Sequence, residues 1–262
     1  MNQKKICTAC GTQFPANNAP ELCSICMDDR QYVPEKGQTW TTLDELANNY
    51  SVIVKKIKES LYELRMAPSF AIGQRALLVL APSGNILWDC ISLLNEPTVE
   101  FIKSKGGLKA IAFSHPHYYT TMNEWADIFE CPVYIHQSDE QWIMNKTPCV
   151  SLWMGTEKEL WDGIQLINVG GHFPGSSILH IPFLSPNGTV LCGDTFYISP
   201  SKKHMSAMYS YPNRIPLPVH EVQRIKKQML KLNFDTMHGF YEFQDIYSNA
   251  KEILKSSLAK YV

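Results

Sequence analysis

Ser114-His115-Pro116-His117-Tyr118-Tyr119-Thr120 carries the strongest chemical signal in this 262-residue chain. The apolar run at 110–113 directly precedes it and predicts a buried strand. Two imidazoles separated by one residue therefore leave the end of that strand close together and can turn toward one point. Imidazole is the commonest metal ligand in proteins. We accordingly predict that His115 and His117 bind a metal ion.

Four further fragments supply what a histidine pair lacks. In chain order they are Trp88-Asp89-Cys90, Gly171-His172-Phe173-Pro174-Gly175-Ser176, Gly193-Asp194-Thr195 and Met237-His238-Gly239. In this order the fragments resemble the metallo-β-lactamase superfamily, whose signature is an aspartate after a strand, HxHxDH, GHxPGS, GDT and a late histidine. A lone HxH is a weak signal, whereas several fragments in the right order are specific. The resemblance covers roughly residues 60–262 and implies an α/β fold, the four-layer αββα sandwich.

The chain departs from that signature in the second half of HxHxDH, where Tyr119 and Thr120 replace the aspartate and the last histidine. Those two residues bind the second metal in the family, so the resemblance implies a single active-site ion, either zinc or iron. The ligands that it implies are His115, His117, His172 and Asp194, with His238 left over from the second site.

The same resemblance implies roles for residues beside the metal. Asp89 braces the metal loops, in keeping with the carboxylates that orient ligating imidazoles in other metal sites. Asp194 is the only obvious acid or base, although it is also a ligand. Tyr119 is placed to donate a hydrogen bond to a developing oxyanion. His136 follows a short apolar run and is a further candidate for a place near the site.

A stretch of mixed methionine and tyrosine follows Asp194 and has neither a helical nor a strand period. Methionine adapts to varied ligands, and tyrosine offers a ring with a hydroxyl. We predict a loop over the site; a loop packed on the core is the alternative. The predicted substrate-rim residues are Met205, Met208, Tyr209 and Tyr211.

The N-terminus contains two CxxC pairs separated by twelve residues, Cys7 with Cys10 and Cys23 with Cys26. This spacing predicts a tetrahedral four-thiolate site, the closed geometry of structural zinc. Disulfides and a redox dithiol are the alternatives, but paired CxxC motifs in a cytosolic protein favour a metal. A segment this short buries too little core to fold alone, so metal binding would supply its folding free energy. We expect the segment to hold its zinc independently of the active site. We therefore assign 1–37 to a zinc-ribbon-like segment with its linker and 38–262 to a metallo-β-lactamase-like domain.

Composition limits the partners of the protein. The formal net charge of −1 gives no general attraction to phosphate backbones, so we expect no nucleic-acid partner. No apolar run reaches the roughly 18 residues of a membrane span, and the first residues lack the apolar stretch of a secretory signal. We expect a cytoplasmic protein that acts on a small-molecule substrate.

Local patterns predict the elements that carry these residues. Capping boxes at Thr42 and Thr121 predict two helix starts, the second helix burying Trp125, Ile128 and Phe129. Apolar runs predict a hairpin at 75–80 and 86–89, strands at 133–135, 163–169, 177–183, 189–192 and 235–237, and helical spacing at 219–229 and 246–258.

The leading interpretation is a metal-dependent hydrolase whose single metal activates water on a small ester, thioester, lactone or phosphodiester. One alternative is a mononuclear iron oxygenase resembling persulfide dioxygenases, with His115, His172 and Asp194 as a facial triad. The other alternative is a catalytically degenerate domain that binds a ligand or a partner. Fold alone does not choose between these functions.

Overall fold

Two β-sheets packed face to face, with helices on both outer surfaces, make up most of the structure. The structure is a computed structural model that describes residues 3–261. Its layers are the αββα arrangement that the resemblance implied, so the predicted fold class is confirmed. None of the helices in residues 3–261 has both the length and the hydropathy that a bilayer span requires.

The N-terminal segment forms a small sheet of its own. Its strands are β1 (Lys5–Cys7), β2 (Gln13–Phe14) and β3 (Trp40–Thr41), in the order β2-β1-β3. Cys7 pairs with Trp40 across this sheet, so its hydrogen bonding continues past the boundary predicted at residue 37. The buried cluster of the segment consists of the four cysteines with Ile25 and Phe14.

The first large sheet contains seven strands in the order β10-β9-β8-β7-β6-β5-β4. Their bounds are β4 (Ser51–Lys58), β5 (Leu61–Ala67), β6 (Arg75–Val79), β7 (Ile86–Trp88), β8 (Ala110–Ala112), β9 (Val133–His136) and β10 (Val150–Trp153). Strands β4 to β7 pair antiparallel, whereas β7 to β10 run parallel. Parallel neighbours need a crossover connection, and helices supply the first two of these.

The second large sheet contains six strands, interrupted in sequence by two short hairpins. Its first four strands are β11 (Glu157–Glu159), β12 (Gln165–Asn168), β13 (Ser177–Ile181) and β14 (Thr189–Leu191). The hairpins are β15 (Tyr197–Ile198) with β16 (Met205–Ser206), and β17 (Met208–Ser210) with β18 (Ile215–Pro216). The sheet then ends with β19 (Thr236–His238) and β20 (Asp245–Ile246).

The helices cover the outer faces of the two sheets. Those on the first sheet are α1 (Leu43–Asn49), α2 (Glu96–Ser104) and α3 (Met122–Phe129); those on the second are α4 (Val219–Met229) and α5 (Ala250–Leu258). A third apolar layer, which includes Leu77, Trp88 and Leu179, fills the space between the sheets. Burying each such side chain stabilises the fold by roughly 1.5–3 kcal/mol.

Most predicted elements are present, but the second capping box is absent. Thr42 forms the predicted box with Glu45. Thr121 instead donates its hydroxyl hydrogen to the carbonyl of Ile91 or Ser92, so helix α3 begins without a side-chain cap. The burial predicted for Ile128 is wrong, because its side chain is 43% exposed. The strand pair at 51–67 and helix α2 were not predicted.

Candidate metal centre

Three imidazole nitrogens and one carboxylate oxygen converge where strands of both large sheets end. Asp194 Oδ2 lies 3.3 Å from His115 Nε2, 3.6 Å from His172 Nε2 and 3.9 Å from His117 Nδ1. One ligand atom from each of the four residues lies within 4.8 Å of the other three, and all four residues are buried. The structure thus brings together the four ligands expected from the sequence.

Local backbone geometry places these ligands. His115 leaves β8 in an extended conformation, and Pro116 begins a single 3₁₀ turn, Pro116–Tyr118, that carries His117. Asp194 lies in a similar turn after β14. Gly193 precedes it with a φ of 48°, and a Cβ there would lie 2.4 Å from the Ser114 side chain. Glycine is therefore required for the two ligand loops to approach each other.

Hydrogen bonds leave the ligand nitrogens free to bind a metal. His172 Nδ1 donates to the carbonyl of Tyr209 at 2.8 Å, so Nε2 carries the lone pair. His115 Nε2 is buried and has no hydrogen-bond partner among the described residues. Burial lowers the pKa of His117 to about 4 and that of His172 well below its ordinary value. Neutral imidazoles are metal ligands, so this donor set fits one zinc or iron ion.

Asp89 supports the centre through Ser114 rather than by direct contact. Its carboxylate accepts hydrogen bonds from the Ser114 backbone N–H at 2.8 Å and from the Ser114 hydroxyl at 2.9 Å. The Ser114 oxygen lies 2.8 Å from His115 Nδ1. This chain of contacts orients His115 with Nε2 toward the metal position, in agreement with the bracing role expected for Asp89.

Tyr118, not Tyr119, faces the ligand carboxylate. The Tyr118 hydroxyl donates to Asp194 Oδ1, and its ring packs 4.4 Å from that of His115. Side chains three residues apart eclipse in a 3₁₀ turn, which brings position 118 under position 115. Tyr119 is 4% exposed and packs edge-on against Phe113. The role predicted for Tyr119 at the substrate is therefore corrected.

Asp194 is fully engaged as a ligand and hydrogen-bond acceptor. Burial opposes its ionisation, but contacts with His115, His117 and His172 outweigh burial and hold its pKa well below the usual range. One oxygen faces the histidines and the other accepts from Tyr118. Both oxygens of Asp194 are thus engaged in contacts within the site, and its acid–base role stays a prediction.

Two other histidines lie outside the centre. His238 does not belong to the ligand group; its Nδ1 is 2.7 Å from Asp245 Oδ1, and Asp245 also pairs with Arg75. The pairing engages only Nδ1, and His238 Nε2 is buried without a hydrogen-bond partner among residues 3–261, so the role of His238 as a ligand stays a prediction. His136 contacts the carbonyl of Gly155 with its Nε2 and packs on Trp153 instead of approaching the metal position.

A cavity of about 330 Å³ adjoins the centre and reaches His117, His172 and Asp194. Aromatic residues dominate its walls, and Arg214 supplies a cation; the rings belong to Tyr32, Tyr197, Tyr211, Phe240 and Tyr241. Sequence reasoning missed most of these residues because they come from four separate loops.

Of the four predicted rim residues, Tyr211 alone lines the cavity. Met205 is 4% exposed and belongs to the core under the second sheet. Met208 and Tyr209 instead place their backbone carbonyls near His172 Nδ1, at 3.3 and 2.8 Å. The stretch predicted as an irregular loop forms strands of the two short hairpins, with Met205 and Ser210 buried and Ser206, Met208 and Tyr209 partly exposed.

The four N-terminal cysteines form a second buried group. Cys7 and Cys26 have their sulfurs 3.6 Å apart, as do Cys10 and Cys23. Four thiolates about 2.3 Å from one tetrahedral zinc have sulfurs ~3.8 Å apart. All four cysteines are free of disulfides. This geometry is capable of binding a metal ion, as the paired CxxC motifs predicted.

Comparison with known proteins identifies a relative and the fold. No protein-family model matches the chain. The chain is 38% identical over 261 residues to the uncharacterized protein YmaE of Bacillus subtilis (strain 168), covering 98% of this chain and 95% of that protein. Among solved structures, the DIM-1 metallo-β-lactamase aligns with a TM-score of 0.59 and 16% identity, over 81% of this chain and 98% of its own. The metallo-β-lactamase FIM-1 from Pseudomonas aeruginosa, in its mono-zinc form, aligns with a TM-score of 0.57 and 13% identity. This alignment covers 80% of this chain and 95% of FIM-1.

Proposed function

Because this chain belongs to one family with YmaE and has the metallo-β-lactamase fold, we propose that it is a metal-dependent hydrolase with a single active-site ion. The observation that carries the proposal is the convergence of three imidazoles and one carboxylate at a cavity of about 330 Å³. Pockets of this size take small molecules. A small ester, thioester, lactone or phosphodiester is the proposed substrate.

One metal, and not two, is expected for a local reason. The second oxygen of Asp194 would have to face a neighbouring ion in a two-metal centre, but here it accepts the Tyr118 hydroxyl. His238 is paired with Asp245, and Tyr119 is packed in the core. Asp194 Oδ1 and Tyr119 are thus engaged elsewhere, and His238, whose Nε2 has no hydrogen-bond partner among residues 3–261, lies outside the group of four.

The chain's own residues hold and orient the reacting groups. His115, His117, His172 and Asp194 would hold the ion, and Ser114 with the Tyr209 carbonyl keeps two of the imidazoles in the ligating tautomer. A zinc ion in such a site lowers the pKa of bound water to about 7 and polarises a carbonyl or phosphoryl oxygen.

The cavity walls suggest what the substrate looks like. Rings on several sides favour an apolar or planar body. Arg214 is exposed and makes no side-chain ion pair within residues 3–261, so it is available for a negative group on the substrate. Tyr32 and Tyr197 line the same space, and neither hydroxyl is hydrogen-bonded to another described residue. These two hydroxyls are the proposed donors to the substrate's oxygens.

The test is a panel of ester, thioester, lactone and phosphodiester substrates, assayed with zinc-loaded protein and with His172→Ala. His220→Ala is the matched control, because that side chain is 79% exposed and lies on helix α4. We expect turnover that is lost in His172→Ala and retained in the control. If the panel is not turned over and the Fe(II) protein consumes O₂ with a thiol substrate, the oxygenase interpretation replaces the hydrolase. Inactivity in both assays favours a binding domain.

Arg214 provides a further arm of the same experiment. Arg214→Gln is expected to raise KM for anionic members of the panel and to leave neutral members unchanged, since the guanidinium contacts only the charged end. An equal effect on both kinds of substrate would contradict the proposed anionic group.

A further inference from the structure

The four-cysteine segment forms one wall of the active-site cavity. Ala9, Gln31 and Tyr32 come from this segment and line the cavity together with His172 and Asp194. The backbone N–H of Gln13 also donates to the carbonyl of Thr120, and the Ser92 hydroxyl donates to that of Gly11. The segment therefore packs directly against the catalytic domain.

Arg30 makes the most direct contact between the two parts. Its Nε donates to the backbone carbonyl of the ligand His172. Its guanidinium lies between two rings, 4.4 Å from the centroid of Phe173 and 4.3 Å from that of Tyr209. Phe173 follows the ligand in sequence, and Tyr209 accepts the hydrogen bond from His172 Nδ1. Arg30 thus touches the ligand residue and both groups that flank it.

The same arginine is fixed within its own segment. Its Nη1 lies 2.9 and 3.0 Å from the two carboxylate oxygens of Asp28, and its side chain is 13% exposed. The Ser210 hydroxyl donates to the Arg30 carbonyl at 3.1 Å. The Asn213 amide donates to the carbonyls on either side, at 2.9 and 3.1 Å. A mostly buried, hydrogen-bonded guanidinium has few alternative positions. The position of the Arg30 backbone therefore determines where the guanidinium contacts the loop that contains His172.

The cysteines determine where that backbone lies. The turn after Cys23 is hydrogen-bonded, with Met27 N–H donating to the Cys23 carbonyl at 3.0 Å and Asp28 N–H donating to that of Ile25. Arg30 follows Cys26 by four residues. Since the buried cluster of the segment consists of the cysteines with Phe14 and Ile25, a metal bound to the thiolates would hold this turn in place.

We propose that Arg30 is a positioning residue for the ligand His172, and that through it metal binding at the four cysteines strengthens metal binding at the active site. The inference rests on the metal centre of the proposed function and not on its reaction. It replaces the expectation that the cysteine segment is independent of the active site. Because coupling between two binding sites is reciprocal, the active-site ion strengthens the cysteine site by the same factor.

The experiment measures the zinc dissociation constant of the active site in the full-length chain, by competition with a chromophoric chelator. Changes of residues that orient metal ligands typically weaken metal binding roughly 10–100-fold. Arg30→Gln is expected to weaken the active site by such a factor while one zinc per chain remains on the cysteines. Arg30→Lys keeps a charged donor and is expected to recover part of the loss.

A control and a double variant test the coupling. Arg224→Gln is the matched control, because Arg224 donates to the carbonyl of Val169 near the same loop without touching the cysteine segment. Arg224→Gln is expected to keep the wild-type zinc dissociation constant at the active site. Cys7→Ser is expected to weaken zinc binding at the active site as Arg30→Gln does. The double variant is expected to weaken it no further, because both changes disrupt the same contact between Arg30 and the His172 carbonyl.

Two results would overturn the proposal. The first is an unchanged zinc dissociation constant at the active site of Arg30→Gln. This measurement remains valid even if Cys7→Ser does not fold. The second is full additivity of the two changes. In the absence of active-site metal, amide hydrogen exchange at Phe173 and Ser176 should be faster in Arg30→Gln than in Arg224→Gln. These readouts do not use turnover, so a failed hydrolase assay leaves the coupling testable.

Discussion

Replacement of Tyr118 by phenylalanine tests how the ligand carboxylate is held. The hydroxyl donates to Asp194 Oδ1, while Oδ2 of the same carboxylate lies 3.3 Å from His115 Nε2. Tyr118 is 0% exposed, so Tyr118→Phe removes the donor without admitting bulk solvent and keeps the ring. Asp194 Oδ1 then has no replacement for this charged hydrogen bond.

The expected magnitude follows from the type of bond. A hydrogen bond to a charged group contributes roughly 1.5–3 kcal/mol, and a buried acceptor left without a donor costs a similar amount. At 1.4 kcal/mol per factor of ten, this corresponds to a loss of roughly 10–100-fold in zinc affinity. Burial and the nearby Asp194 charge raise the pKa of Tyr118 well above its ordinary value. The donor therefore stays protonated at neutral pH, and the effect should not depend on pH between 6 and 8.

The assay is a zinc competition titration of the active site in Tyr118→Phe and Tyr119→Phe. Tyr119 is the matched control because it is the adjacent residue, is also buried, and packs against Phe113. We expect weaker zinc binding in the first variant and wild-type binding in the second. Equal affinities for Tyr118→Phe and wild type would refute the role of the Tyr118 hydroxyl, and so would a larger loss of zinc affinity in Tyr119→Phe.

Other variants test the remaining parts of the structure. Cys7→Ser should lose about one zinc per chain in elemental analysis, and unchanged metal content would argue against the thiolate site. His172→Ala should lose the active-site metal, whereas His238→Ala should retain it. After the zinc on the cysteines is subtracted, more than one metal per wild-type chain would contradict the single-ion centre. Burial opposes ionisation of Asp245, but hydrogen bonds from His238 and Arg75 outweigh it and lower its pKa to about 2. Because the folded pKa is depressed, the ionised form contributes about 2 kcal/mol above pH ~4, lost as pH falls toward 2. Asp245→Asn should therefore lower the free energy of unfolding at pH 7, with the difference shrinking between pH 4 and 2 in urea titrations.

Residues with a strong local signal were predicted well. The four residues of the candidate metal centre follow strand ends or glycine turns, and the resemblance of their motifs to the metallo-β-lactamase signature pointed to them without any tertiary information. The hairpin of Arg75–Val79 with Ile86–Trp88 follows from two apolar runs around a turn. Helix α1 follows from the capping box at Thr42. For the hairpin and for helix α1, the contacts that decide the structure lie close together in the sequence.

Residues whose role depends on orientation were predicted less well. Tyr118 and Tyr119 are adjacent, and the 3₁₀ turn that begins at Pro116 decides which of them faces Asp194. Ile128 fits an apolar stripe, but the short helix α3 turns that position toward solvent. Small differences in helical pitch are enough to exchange a buried position for an exposed one.

The sequence by itself predicted the layer architecture and the four residues of the candidate metal centre through the resemblance of its motifs to the metallo-β-lactamase signature. The spacing of the two CxxC pairs predicted the cysteine site, because ligand spacing within such a pair is a local property of a chain. Only the tertiary structure decided that His238 pairs with Asp245 and that Arg30 lies on the carbonyl of His172, 142 residues away. Contacts over such separations depend on how the layers pack and on which loops meet at the sheet ends. The wall of the cavity, which residues of the cysteine segment share with His172 and Asp194, is for this reason a property of the folded chain.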